Sequence, residues 1–188
     1  MMNCNGLFEA SKNNNIEMVQ ELINNEININ IQDSEGRTAL IIASQYNNIE
    51  IVKLLLENDA EYDIQDYEFV DNGWTALMHA SYHGHYDIIK ILLDHGCPIN
   101  SQDVNGDTPL MISLFENKDN INIINLFIQY NIDLTLKNVN EDTALNIILD
   151  YENAEILYPD TIELLLNPTK NKKKFEILNL IDDFKHKI

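Results

Sequence analysis

Positive charge is what this chain lacks most. Its 188 residues hold 12 Lys and Arg against 31 Asp and Glu, a formal net charge of −19 at pH 7. That balance argues against sequence-independent nucleic-acid binding, whose affinity comes from Lys and Arg at phosphates. It argues equally against docking on anionic membranes, and it permits steering toward a basic partner. Cysteine is scarce too: Cys4 and Cys97 stand far apart and in no metal-type spacing, too few for a disulfide framework. Both read as ordinary reduced thiols, Cys97 as a small buried hydrophobe. No run of 18 apolar residues exists, which excludes a membrane-spanning helix. Met1-Met2-Asn3-Cys4-Asn5 lacks the basic and apolar regions of a signal peptide. The expectation is a soluble, cytoplasmic protein. Motifs for acyl transfer, metalloproteolysis, phosphate cradling or dinucleotide binding do not occur, so the chain reads as no enzyme, with no cofactor and no catalytic residue.

What is present is one phrase, four times over. It stands as Gly36-Arg37-Thr38-Ala39-Leu40, Gly73-Trp74-Thr75-Ala76-Leu77, Gly106-Asp107-Thr108-Pro109-Leu110 and, weaker, Glu141-Asp142-Thr143-Ala144-Leu145. The threonines are 37, 33 and 35 residues apart, a period that signals stacked repeats. Each threonine suits a helix N-cap, and Leu40 and Ala43 then share a helical face. Ile49, Val52, Leu55 and Leu56 stripe a returning helix. Thr75, Leu77, Ala80, Ile88, Ile89, Leu92 and Leu93 repeat the pattern, as do Leu110, Ile123, Ile124, Leu126, Phe127 and Ile128. A first unit lacks the phrase, yet Leu7, Ala10, Ile16, Glu17 and Val19 match the second unit at an offset of 33. It should form helices over 1–13 and 16–24 and cap the array.

These periods divide the chain into 1–33, an N-terminal capping unit; 34–66; 67–103; 104–138; 139–170, a degenerate unit; and 171–188, a terminal capping helix striped by Phe175, Leu178, Ile181 and Phe184. The third unit carries four extra residues within 67–71, in a segment that should project from the stack, where insertions often mark a binding face. The loops at 117–120 and 151–160 are also longer than their counterparts. The run from Lys170 to Lys174 reads as a solvated helix start.

With these residues in place, the chain resembles the ankyrin repeat family over nearly its whole length. Asp33, Gly36, Thr38, Leu40, Ala43, Ile51, Val52, Leu55 and Leu56 keep its pattern in one copy, and Asp103, Gly106, Thr108, Pro109 and Leu110 in another. The resemblance implies an all-α repeat solenoid of paired antiparallel helices joined by projecting β-hairpin loops. It implies a non-catalytic module that binds a protein partner through a concave groove. The family histidine is replaced by Ile41, Met78, Met111 and Asn146, which implies a stack held mostly by apolar contact.

Three columns of the family's groove fall on this chain. The first reads Lys12, Gln45, Tyr82, Phe115, Asp150; the second Asn13, Tyr46, His83, Glu116, Tyr151; the hairpin column Arg37, Trp74, Asp107, Asp142. Aromatics concentrate binding energy at interface centres, so Trp74, Tyr82, His83, Phe115 and Tyr46 make the candidate core. Asp107, Glu116, Asp142 and Asp150 make an acidic rim toward the C-terminal half. The expected partner is a protein segment with basic and apolar side chains, gripped by a monomer. Two other readings stand beside it: an inhibitor resembling short ankyrin regulators that mask a basic surface, and a structural or self-associating scaffold. A metal cluster at His79, His83, His85 and His95 is set aside, His79 being placed on the exposed side of its helix.

Overall fold

The structure, a computed structural model, describes residues 4–67, 73–116, 121–150 and 159–168. Ten helices form there: α1 Cys4–Lys12, α2 Ile16–Asn24, α3 Ala39–Gln45, α4 Ile49–Glu57, α5 Ala76–Tyr82, α6 Tyr86–Asp94, α7 Pro109–Glu116, α8 Ile121–Gln129, α9 Ala144–Leu149 and α10 Pro159–Leu166. Each odd helix packs on the even helix that follows it. Odd helices also pack on odd neighbours, from α1 through α3, α5 and α7 to α9, and even on even from α2 to α10. The result is a two-layer solenoid, as the apolar stripes require.

The first helices are short because their starts and stops are both written in the chain. Thr38, Thr75 and Thr143 take extended backbone and accept from the N–H three residues on; Thr108 does the same for Met111 at 3.3 Å. Left-handed Asn47 and Gly84 stop α3 and α5, a conformation these residues adopt at little cost. Small residues on the first helix, Ala39 and Ala43 or Ala76 and Ala80, are fully buried and let its partner come close. Leu55, Ile88, Leu92 and Phe127 fill the space between the layers. Cys97 lies in this core, and burial pushes its thiol pKa up to about 12.

Between units the chain makes tight turns rather than β-strands; no strand forms among the described residues. Asp33 N–H donates to Arg37 O, Asp66 N–H to Trp74 O, Asp103 N–H to Asp107 O and Asn138 N–H to Asp142 O. Consecutive turns touch so closely that a Cβ on Gly106 would stand 2.9 Å from the Asn138 backbone. In the fifth unit Glu141 holds the same left-handed conformation at φ 67°, which is why that copy of the phrase looks degenerate yet still turns.

Polar bonds add to the apolar contact expected to hold the stack. At two of the positions where the family has histidine, a methionine sulfur accepts a bond within its own unit, Met78 Sδ from Thr75 N–H at 3.4 Å and Met111 Sδ from Thr108 N–H at 3.5 Å. Two ladders tie unit to unit. Gln32, Gln65 and Gln102 donate through Nε2 to the carbonyls of Gln65, Gln102 and Lys137. Asn48 Nδ2 reaches back to Ser11 O and Lys12 O, and His85 Nε2 to Gln45 O at 3.1 Å. These bonds cross every junction from the first unit to the fourth, and Val139 N–H, donating to Asn105 O at 2.8 Å, crosses from the fifth. The expected terminal helix at 171–188 and the loop at 117–120 lie outside the described residues, as does most of the loop at 151–160.

Candidate functional site

The three columns lie where the odd helices end and the turns project. In the second unit Arg37 Nε and Nη2 donate to Asp33 Oδ2 at 3.1 and 3.0 Å, and Arg37 also pairs with Glu35. Tyr46 is 44% exposed, with the Lys12 ammonium 5.3 Å from its ring centroid, within cation–π range. Phe8, Glu9, Lys12, Arg37, Ile42 and Tyr46 line a cleft of about 300 Å³. Gln45 is half-buried and contributes its carbonyl to His85.

The third unit brings its predicted residues into one cluster. Trp74 packs on Tyr82 with centroids 5.3 Å apart, Tyr82 on His83 at 5.1 Å, and His83 stacks on His85 at 5.5 Å. Trp74 and Tyr82 are half-buried and His83 is exposed, so the cluster presents edges and faces outward while its inner side is anchored. Tyr67, at the start of the insertion, folds back: its ring lies over Gly36 and its N–H donates to Glu35 O. Residues 68–71, the rest of the insertion, lie outside the described residues.

Trp74 is held by a buried network that the sequence did not reveal. Its N–H donates to Asp66 Oδ1 at 2.8 Å, and its indole Nε1 to Asp103 Oδ2 in the next turn at 3.0 Å. His79 packs edge-on against the indole and donates from Nε2 to Asp66 Oδ2 at 2.7 Å. His79 is therefore not on the exposed side of its helix: it is 1% exposed, because the Asp66 carboxylate beneath the turn needs a donor. Aromatic stacking and the two acids together fix the indole in one pose.

The acidic rim is smaller than the columns suggest. Asp107 is 7% exposed; its Oδ1 accepts from Asn138 Nδ2 at 2.9 Å. Burial pushes its pKa above the ordinary carboxylate value, the Asn138 bond pulls it back, and Asp103 and Asp142 add to the rise. The next turn, lying over it, takes it out of the surface. Asp142 is half-buried and Asp150 exposed. Phe115 stands exposed at the end of α7. The Glu116 side chain and Tyr151 lie outside the described residues.

Two apolar turn residues were missed, Val104 and Val139, each 68% exposed. They follow Asp103 and Asn138 directly, where the second unit has Ser34, so aligning the turns rather than the helices would have found them. The Gln-Asp pairs at 32–33, 65–66 and 102–103 were an equally readable sign of the glutamine ladder.

A family model described as ankyrin repeats (3 copies) matches residues 2–66 and again 66–138. No curated protein matches the chain.

Proposed function

The chain belongs to the ankyrin repeat family, whose repeats generally mediate protein–protein interaction, and on that premise we propose that it is a non-catalytic binding module. Its working surface is the row of turns and first-helix ends. Trp74, Tyr82 and His83 form the centre, Tyr46 and Phe115 extend it, and Asp142 and Asp150 edge it. The observation that carries this reading is the contiguous Trp74–Tyr82–His83 stack, which leaves aromatic surface outward although an apolar core was available to bury it. Side chains held in one pose lose little entropy when a partner binds, and the network under Trp74 supplies that preorganisation.

The test is partner capture from native cytosol by the wild-type chain and by Trp74→Ala/Tyr82→Ala, with helicity measured on both. Capture should vanish from the double variant while helicity stays. Equal capture by two folded proteins would remove the surface assignment.

The charge of −19 supports a second reading, an inhibitor-like regulator that masks a basic surface of a transcription or signalling factor. Capture that weakens steeply with salt favours it, and salt-indifferent capture counts against it. A self-associating scaffold is a third reading, resting on the exposed Val104 and Val139. Sedimentation that changes with concentration would establish it, and a concentration-independent monomer would dismiss it.

A further inference from the structure

The two ends of the candidate surface differ in charge. At the first and second units the carboxylates already face cations: Arg37 pairs with Asp33 and Glu35, and Lys12 lines the neighbouring cleft with Glu9, so two cations offset two of these three acids. At the fifth unit Asp142 and Asp150 form no ion pair among the described residues. Asp150 is also the C-cap of α9, where the helix end carries partial negative charge of its own. A cation there would relieve both. Between the two ends lies the aromatic centre, with no Asp, Glu, Lys or Arg at positions 74, 82, 83 or 115.

We propose that this surface takes one extended partner segment in a single direction, an apolar anchor on the Trp74–Tyr82 cluster and a Lys/Arg-rich end over Asp142 and Asp150. The proposal rests on the binding surface described above and adds the chemistry and orientation of its occupant. Neighbouring helices pack about 8–10 Å apart, so the fifth unit lies roughly 20 Å from the third, about two Debye lengths at physiological salt. A basic cluster at the wrong end of the segment therefore meets the cations Lys12 and Arg37 beside carboxylates they already offset, and feels little of the acidic end. An extended chain advances about 3.3 Å per residue, which puts the cationic end about six residues from the anchor.

The experiment pans a displayed library of random twelve-residue peptides against the full chain, with Trp74→Ala/Tyr82→Ala as the counter-selection. Affinity of the strongest discriminating peptide is then measured by fluorescence anisotropy. The same is done for a version with its basic cluster moved to the other side of the anchor. Selected peptides should carry Lys or Arg on one constant side of a bulky apolar residue. Moving the cluster should weaken binding roughly tenfold, the yield of a few screened rim pairs. Asp142→Asn/Asp150→Asn should abolish the difference between the two peptides. Clusters on either side with equal frequency, or a move that costs less than about twofold, would overturn the direction while leaving the surface intact. If no peptide discriminates between the wild type and the counter-selection variant, the surface itself falls, and the proposal with it.

Discussion

The second and third units build the same turn and hold it differently. In both, an aspartate accepts from the main-chain N–H of the variable residue, Asp33 from Arg37 at 2.9 Å and Asp66 from Trp74 at 2.8 Å. That leaves one carboxylate oxygen in need of a donor. In the second unit the variable residue supplies it, so Arg37 is consumed by its own turn. In the third unit His79 supplies it from the helix below, at the position where the second unit has the buried Ile42. Position 74 is thereby released, and an indole fills it, reaching forward to Asp103. One histidine placed on the inner face of α5 thus converts a structural position into a surface one. This is a division of labour between turn and helix, and it explains why the aromatic centre sits in the third unit and not in the second.

Breaking the donor in each unit should give unequal results. His79→Ile leaves Asp66 Oδ2 buried and without a donor, and should cost about 3 kcal/mol in urea unfolding. The fourth unit gives a different contrast, because its variable residue is itself a buried acid. Asp107→Asn keeps the acceptor for Asn138 and removes the buried charge, and should raise the Tm by about 2–4 °C at pH 7. Burial holds the folded-state pKa of Asp107 above the unfolded value, so the folded chain binds that proton more readily. Stability contributed by this group therefore rises as pH falls through the raised pKa and is complete below the unfolded one. The asparagine variant should lose that part of the pH profile in thermal melts. Arg37→Ala should have the smallest effect, about 0.5 kcal/mol by the same urea measurement, because water reaches Asp33 when the guanidinium leaves.

The fold was legible because its signals are local and repeated. Thr38, Thr75, Thr108 and Thr143 cap helices by contacts three residues long, and leucines such as Leu55 and Leu92 recur at the helical period. The adjacency of Trp74, Tyr82 and His83 was also legible, since columns of a repeat become neighbours when the units stack. What escaped reading were bonds between a turn and a helix, or between one turn and the next. Asp66 and His79 are 13 residues apart, and nothing in the 3.6-residue pattern says that α5 turns a histidine inward. Asp107 looked like rim because its burial is imposed by Asn138, 31 residues later. Val104 and Val139 project from the turns, where the helical period carries no signal.

The most direct test transplants the second unit's solution into the third. His79→Ile and Trp74→Arg are measured singly and together by urea unfolding, as a double-mutant cycle. An arginine at 74 sits where Arg37 sits relative to its aspartate, so it should supply the donor that His79→Ile removes. The double variant should be more stable than the sum of the singles by about 1–2 kcal/mol. Additivity within about 0.5 kcal/mol would show that His79 and position 74 do not share one acceptor, and would contradict the account of how the aromatic centre is made.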